Sequence, residues 1–244
     1  MTDCTGPLTP SSQLVLDLGP RPTLDNFIAG DNQEALAAAR ALLDPLQRTT
    51  RFMYWWGAPA SGRSHLARAL AGALRPNLVR LLGPQSTIAD FQHTPGLALW
   101  LIDDADQLSP AQQEAAFHLF NAVYDESETA LASTGAQPPS HTPLRTDLAT
   151  RLGWGLVLQL KRLSDADTAQ ALTQTLAERG VVASASLVPW LMTHAARDLG
   201  QLRALIDDLD RYALARNRAI TLPLLREFLQ THRGTPACAS DPNR

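Results

Sequence analysis

The sequence predicts an α/β protein in which a parallel sheet, covered by helices on both faces, is followed by a smaller all-α domain. Strand and helix patterns alternate between residues 50 and 160, as a parallel sheet requires. Leu97–Ile102 is a continuous apolar run, typical of a strand buried on both faces. After Leu163 only helical patterns remain. We therefore expect a flexible tail at 1–23, an α/β domain at 24–162, a helical domain at 163–232 and a disordered tail at 233–244.

Composition sets the broad class of the protein. The 244 residues are 45% hydrophobic, which is enough for a sizeable core. A net charge of −3 makes the chain a poor stand-alone nucleic-acid binder, so we expect little direct sequence-specific DNA binding. Cys4 and Cys238 lie near opposite ends and form neither a disulfide framework nor a metal-ligand spacing. With no membrane-length apolar run and no visible signal peptide, we expect a cytoplasmic protein without membrane partners.

The α/β domain is organised around one loop between a strand and a helix. An apolar run ends at Gly57, and a helical pattern opens at Ser64. The spacing Gly57-x-x-x-x-Gly62-Arg63-Ser64 is that of a phosphate-binding loop, with arginine where lysine is usual. Glycines let backbone N–H groups close around phosphate oxygens, and the helix N-terminus adds partial positive charge. The alternative is an ordinary glycine-containing turn.

The loop pattern assigns a role to each of its polar residues. Arg63 would reach the β- and γ-phosphates, and the Ser64 hydroxyl would ligate Mg²⁺. Arginine is a planar fork rather than a compact charge, so nucleotide binding is the stronger inference and hydrolysis the weaker one. Lys161 is the only lysine of the chain, which indicates a general drift to arginine. With ADP or ATP as ligand, the predicted nucleotide-binding residues of the loop are Gly57, Ala58, Pro59, Ala60, Ser61, Gly62, Arg63, Ser64 and His65.

Two carboxylates follow the buried strand Leu97–Ile102. At the end of a parallel strand beside a phosphate loop, such carboxylates serve Mg²⁺ and the attacking water. We expect Asp103 to hold the metal through its water shell and Asp104 to orient the nucleophile. The alternative is that these residues only end the strand and cap the next helix, and this alternative is strongest for Asp106.

The remaining elements are predicted from periodicity and capping residues. Asp31 or Asn32 caps a helix that ends near Asp44-Pro45, and Ser109-Pro110 starts another helix. Further strands are predicted at Asn77–Leu82, Ala130–Thr134 and Leu156–Leu160, and further helices at Ser164–Ala177, Pro189–Ala196, Leu199–Leu214 and Leu222–Leu229.

The N-terminal tail carries one apolar cluster in a polar context. Leucines alternate in Gln13-Leu14-Val15-Leu16-Asp17-Leu18, and such a cluster needs something that buries it. The spacing favours a short edge strand and a peptide anchor for a partner's groove equally.

Several motifs, in one order, resemble the AAA+ module of the DnaA family of bacterial replication initiators. These are the loop Gly57–Ser64 with His65-Leu66, the strand end Ile102-Asp103-Asp104, Phe117–Asn121, Asp147–Gly155 and Asp198–Arg203. The resemblance covers about residues 24 to 232 and implies an AAA+ domain followed by a helical lid. It is closer to the Hda branch, because Gly62-Arg63-Ser64-His65-Leu66 has arginine where DnaA carries lysine, and because Gly30-Asp31-Asn32 and Thr134–Pro139 are similar to Hda.

The resemblance implies roles for residues that spacing alone does not single out. Arg151 takes the arginine-finger position, which serves a nucleotide held by a neighbouring subunit. Arg203 takes the sensor position in the lid, over the chain's own nucleotide. Ala136 departs from the family, which places a polar residue there as the first sensor. With Arg63, this departure weakens the expectation of intrinsic ATP hydrolysis.

The resemblance also implies partners. Gln13, Leu14, Leu16 and Leu18 are similar to the motif with which Hda binds the DNA polymerase sliding clamp, so a peptide anchor becomes the favoured interpretation of the tail. The expected function is a regulator that docks on the DNA-loaded clamp and triggers hydrolysis of DnaA-bound ATP. A second copy of the chain is a further candidate partner. The rival hypotheses are an AAA+ ATPase that acts on DNA, such as a helicase loader, and a clamp and DnaA adaptor without a catalytic arginine.

Overall fold

The computed structural model describes residues 21–47, 50–178, 187–194, 199–216 and 218–232. Within this part of the chain, parallel strands form one sheet. The strands are β1 (Phe52–Trp56), β2 (Val79–Leu82), β3 (Leu99–Ile102), β4 (Ala130–Gly135) and β5 (Leu156–Gln159). Their order across the sheet is β2-β3-β4-β1-β5, so the strand before the phosphate loop lies inside the sheet.

Helices cover both faces of this sheet. They are α1 (Gln33–Leu43), α2 (Arg63–Ala73), α3 (Pro110–Asp125) and α4 (Thr146–Leu152). Successive side chains of a strand point to opposite faces. Phe52 and Tyr54 accordingly pack with the apolar side chains of α3 and α4, whereas Met53 and Trp55 pack with those of α1 and α2. The predicted doubly covered parallel sheet is confirmed.

The C-terminal ends of all five strands meet at one edge of the sheet because the strands are parallel. Trp56 lies beside Gly135 on one side and beside Gln159 on the other, and Ile102 lies beside Ser133. The Gly57 N–H donates to the Gly135 carbonyl at 3.2 Å. This edge therefore brings together the phosphate loop, the Asp103-Asp104 pair and the segment after β5.

The C-terminal residues form helices with a core of their own. These are α5 (Asp165–Glu178), α6 (Leu187–His194), α7 (Leu199–Ala215) and α8 (Leu222–His232). Their buried apolar side chains include Leu172, Leu191, Ile206 and Leu224, which pack together as one cluster. The predicted helical domain after the sheet is confirmed.

Local details differ from the sequence predictions. β2 begins at Val79 rather than Asn77, because the Leu78 N–H is turned back to the Arg75 carbonyl at 2.8 Å. Helix α4 was not predicted, since its 7 residues are too few for a periodic signal. Ser109 caps α3 as predicted, by accepting from the Gln112 N–H at 3.4 Å.

Asn32 has a different role from the predicted helix cap. It stands at the N-cap position of α1, but its side chain makes no capping hydrogen bond there. Instead its Oδ1 accepts from the Lys161 N–H at 2.7 Å, and its Nδ2 donates to the Lys161 carbonyl at 2.9 Å. The amide thus ties the start of α1 to the segment after β5, a long-range pairing that a capping rule does not anticipate.

Three groups of predictions lie wholly or partly outside the described residues. Gln13, Leu14, Leu16 and Leu18 belong to the undescribed N-terminal segment, as does Cys4, while Cys238 belongs to the C-terminal one. The proposed domain boundaries stay predictions. Among the described helices, none combines the length and the apolar character that a membrane crossing needs.

Candidate nucleotide-binding site

The loop between β1 and α2 has the backbone of a phosphate cradle. Ala60 and Gly62 adopt positive φ angles of 67° and 94°, which bend the chain back before α2 begins at Arg63. A Cβ on Gly57 would collide with the Leu160 carbonyl oxygen, and a Cβ on Gly62 would lie 2.9 Å from the Phe27 ring. Both glycines of the motif are therefore required by close approaches of the chain.

Two polar groups of this loop point to a ligand. The Ser61 hydroxyl and one terminal nitrogen of Arg63, Nη1, are buried without a hydrogen-bond partner among the described residues. A buried polar atom without a partner costs about 1–3 kcal/mol. Both groups lie at the N-terminus of α2, where an anion is stabilised by free backbone N–H groups and by the helix dipole. The residues present fit a bound phosphate group.

A hydroxyl and carboxylate network supports the predicted magnesium ligands. The Ser64 hydroxyl donates to Asp103 Oδ1 at 3.2 Å, and the Thr134 hydroxyl donates to the same oxygen at 2.7 Å. Among the described residues no cluster of three or more His, Cys, Asp or Glu side chains could hold a metal ion. A Mg²⁺ ion here would depend on phosphate and water oxygens, with Ser64 and Asp103 as its protein partners.

Asp104 is paired with the loop arginine. Arg63 Nη2 lies 3.4 Å from Asp104 Oδ1, and the Arg63 side chain is only 13% exposed. Burial raises the pKa of Asp104 and the neighbouring Asp103 raises it further, while Arg63 lowers it. The Asp104 backbone has a positive φ of 52°, and its N–H donates to the Thr134 hydroxyl at 2.9 Å. Asp104 is thus paired with Arg63 in this structure, and its role in orienting the nucleophile stays a prediction.

A cleft of about 490 Å³ opens beside the loop. Ala60, Ser61, Gly62, Arg63, Ser64 and His65 line it, whereas Gly57, Ala58 and Pro59 shape the loop without lining the cleft. Sequence reasoning missed the opposite walls, which are Phe27, Ile28, Arg162, Leu163, Thr168 and Met192. Phe27 and Ile28 form an apolar pair just before α1. This pair was the sequence signal from which an apolar wall of the cleft could have been predicted. Thr168 and Met192 come from the helical domain, so no local pattern could place them.

Three contacts fix the walls of this cleft. The ring of Phe27 packs against His65 with centroids 5.6 Å apart, and His65 Nε2 lies 3.2 Å from the Thr23 carbonyl oxygen. Arg162, just after β5, donates from Nε to the Pro59 carbonyl at 2.8 Å. The cleft thus has an apolar wall with an aromatic ring and a basic wall near the phosphate loop, which suits a nucleotide.

The position of the first sensor is filled by backbone rather than by a side chain. The Ala136 N–H donates to Asp106 Oδ1 at 3.3 Å. Beneath it, the fully buried Tyr54 donates its hydroxyl to the Gln137 carbonyl at 3.1 Å, and burial raises the pKa of Tyr54 to about 12. The side chain of Ala136 offers no polar atom to a nucleotide.

The two arginines implied by resemblance are far apart in the fold. Arg203 lies on α7, and its side chain is outside the described part of the chain. Arg151 lies in the last turn of α4, just before β5. Its guanidinium carbon stacks 3.8 Å from the ring centroid of Trp154, and it does not line the cleft.

Comparison with known proteins identifies the helical domain. Residues 165–229 match the model of the Hda lid domain. Among solved structures, domain III of Thermotoga maritima DnaA matches with a TM-score of 0.70 and 18% identity, covering 88% of this chain and 100% of that one. The AMPPCP-bound DnaA of Aquifex aeolicus matches with a TM-score of 0.67 and 19% identity, covering 89% and 71%.

Residues 165–229 are thus related to the Hda lid domain, and the chain has the fold of the DnaA structures. The RuvB Holliday junction branch migration motor of Thermotoga maritima has the same fold, with a TM-score of 0.63, 15% identity and coverage of 86% and 72%. At these identities the solved structures show the fold of this chain, and the lid match adds the relation of its C-terminal helices to Hda. The predicted resemblance to Hda in the lid and the predicted architecture are confirmed.

Proposed function

We propose that this chain is a regulator of replication initiation that binds the DNA-loaded sliding clamp and stimulates hydrolysis of DnaA-bound ATP. The observation that carries the proposal is the placement of Arg151. It precedes β5, whose first residue, Leu156, pairs with Met53 near the N-terminal end of β1, whereas the phosphate loop follows Trp56. At about 3.3 Å per strand residue, these ends are separated by on the order of 15 Å. A guanidinium there can serve a neighbour's nucleotide but not the chain's own.

The chain's own nucleotide acts as a structural ligand in this proposal. The DnaA relatives bound to AMPPCP support an adenine nucleotide, ADP or ATP with Mg²⁺, in the cleft. Arg63 is engaged by Asp104, and Ala136 provides no sensor side chain. Both features weaken stabilisation of charge on the transferred phosphoryl group, so we expect slow intrinsic hydrolysis. Arg203 would contact this nucleotide from the lid.

The N-terminal motif supplies the clamp contact in this proposal. Burial of two leucines in a partner's groove stabilises a complex by roughly 3–6 kcal/mol before ordering costs. Replacement of Gln13, Leu14, Leu16 and Leu18 by alanine should abolish binding to immobilised clamp and leave the Tm nearly unchanged. Undiminished binding would remove the clamp from the proposal.

The decisive experiment measures turnover of DnaA-bound ATP with and without this protein and DNA-loaded clamp. An inserted arginine adds about 10³–10⁵ in rate by neutralising charge on the phosphoryl group. Arg151→Ala should remove most of the stimulation while folding, nucleotide content and clamp binding stay intact. Arg145→Ala, on the same helix, is the matched control and should keep it. If Arg151→Ala stimulated as well as wild type, the adaptor hypothesis would replace the activator hypothesis.

A further inference from the structure

Arg151 is held by aromatic rings rather than by a carboxylate. Its guanidinium carbon lies 3.8 Å from the Trp154 ring centroid and 5.8 Å from that of Phe117. No ion pair of Arg151 is found with any described residue. Stacking uses only the flat face of a guanidinium and leaves its five N–H donors in the plane around its edge. The aromatic rings therefore orient the Arg151 guanidinium, while its N–H donors stay available to a group on a partner.

Arg145, at the N-cap of the same short helix, shows the contrasting arrangement. Its Nε and Nη2 donate to the two carboxylate oxygens of Asp147 at 3.3 and 2.9 Å, and its Nη1 donates to Glu114 at 3.0 Å. These bonds occupy both edges of the guanidinium. The two arginines therefore differ in the N–H donors that remain available to a partner. The charge of Arg145 is neutralised by carboxylates of its own chain, and the charge of Arg151 is not.

Trp154 is fixed in place by its surroundings. A Cβ on Gly155 would collide with the Phe52 carbonyl, so only glycine lets the chain pass here. The Trp154 N–H donates to the Arg151 carbonyl at 3.1 Å, and its ring meets Tyr124 edge-on, with centroids 5.5 Å apart and planes at 68°. The indole is nevertheless 51% exposed. The backbone therefore holds the Trp154 indole at the surface. The Arg151 guanidinium covers one face of this ring.

We propose that Trp154 is a positioning residue that presets the direction of Arg151 before the chain meets its partner, an inference that rests on the proposed function. An arginine side chain with free rotamers would have to be ordered in each encounter, at a cost in the rate. A stacked guanidinium arrives with its edge donors already aimed outward, toward phosphate oxygens of the neighbouring site. Trp154 itself touches no nucleotide and acts only through Arg151.

The first test compares maximal stimulation of DnaA-bound ATP hydrolysis for Trp154→Ala, Trp154→Phe and Arg151→Ala in the full chain with DNA-loaded clamp. Trp154→Ala should lower the maximal rate roughly 3- to 10-fold, because cation–π contacts at exposed sites are modest. The concentration for half-maximal stimulation should change little. Trp154→Phe should recover most of the rate, and Leu214→Ala, which trims another exposed apolar side chain on the lid, should match wild type.

A double variant separates positioning from direct contact with the partner. If Trp154 acts only through Arg151, the Arg151→Ala, Trp154→Ala double variant should stimulate no less than Arg151→Ala alone. A further fall would mean that Trp154 contacts DnaA itself, and would overturn the inference. Full activity of Trp154→Ala beside an inactive Arg151→Ala would also overturn it and leave the proposed function standing. Full activity of Arg151→Ala would instead reject the proposed function.

A spectroscopic readout tests the geometry without any activity. In ¹⁵N-edited spectra of arginine side chains, the Hε resonance of Arg151 should be shifted upfield by the indole ring current and identified by its loss in Arg151→Lys. Trp154→Ala should return it to the range of exposed arginines, with the Tm as a check on folding. A Hε resonance in that range already in the wild-type chain would contradict the stacked arrangement.

Discussion

Arg63 and Arg151 lie at opposite ends of the central strands and are held in opposite ways. Arg63 is enclosed, with a side chain 13% exposed and Nη2 3.4 Å from Asp104 Oδ1. Arg151 is stacked face-on upon a half-exposed indole, and no described carboxylate pairs with it. The Asp104 carboxylate engages one terminal nitrogen of Arg63 and leaves Nη1 for a ligand of its own cleft, whereas an aromatic face leaves the edge donors of Arg151 free. The comparison indicates that one arginine serves its own site and the other is presented to a partner.

The two ends of β5 lie near the two differently held arginines. At its C-terminal end, the Leu160 N–H donates to the Trp56 carbonyl at 2.6 Å, and Arg162 then contacts the phosphate loop through Pro59. At its N-terminal end lie Gly155, Trp154 and Arg151. A single strand thus joins the chain's own cleft to the surface that we assign to DnaA.

The largest effect should come from exchanging arginine for lysine at both ends. Arg151→Lys should lose about 10²–10³-fold of the stimulation, because a point charge neither stacks on Trp154 nor forms a planar fork to phosphate. Arg63→Lys should retain tightly bound nucleotide, since lysine is the usual residue of this loop pattern. Both variants are compared with wild type in the stimulation assay and in their nucleotide content after purification. Equal losses of stimulation in both variants would erase the distinction between the two arginines.

The sequence predicted those parts of the site that depend on residues close together in the chain. Gly57, Gly62 and Ser64 belong to one loop, and Asp103 follows a strand whose apolar run ends visibly, so local rules found them. The Arg63 pair with Asp104 and the wall formed by Thr168 and Met192 join segments far apart in sequence. No local rule reaches across such distances. Arg151 and Trp154 are only three residues apart, and their spacing at a helix end was a signal that went unused.

The interior of the α/β domain should respond to alkaline pH through Tyr54. Its pKa is raised to about 12 by burial, from 10.0. Below pH 10 the folded and unfolded chains both keep the proton, so the stability is fully present. Between pH 10 and 12 only the unfolded chain loses it, and the free energy of unfolding should fall by up to about 3 kcal/mol.

Denaturant unfolding of wild type and Tyr54→Phe from pH 9 to 12 measures this effect. Tyr54→Phe should be less stable at pH 9, because the hydrogen bond to the Gln137 carbonyl is lost, and should show a shallower decline. The Tyr124→Phe variant changes a tyrosine that is 52% exposed near Trp154 and is the matched control, with a decline like wild type. Identical slopes for all three proteins would disprove the assignment to Tyr54.

The smallest effect concerns a third arginine, Arg51, whose two terminal nitrogens donate to carbonyls of its own chain. Its Nη1 donates to the carbonyls of Val123 at 3.1 Å and Thr129 at 2.9 Å, as well as to that of Glu126, and its Nη2 donates to Tyr124 at 3.2 Å. The carbonyls of Val123, Tyr124 and Glu126 end α3, so the guanidinium closes the C-terminus of that helix. Arg51 thus resembles Arg63 in being engaged, although it lies at the same end of the sheet as Arg151.

Arg51→Ala should therefore have the opposite profile to Arg151→Ala. Loss of several partly exposed charged hydrogen bonds should lower the free energy of unfolding by about 1–2 kcal/mol. Stimulation of DnaA-bound ATP hydrolysis, measured well below the Tm, should stay near wild type, because both terminal nitrogens of Arg51 are engaged within the chain. A strong loss of stimulation with unchanged stability would show that position at this end of the sheet, rather than the availability of donors, decides which arginine acts.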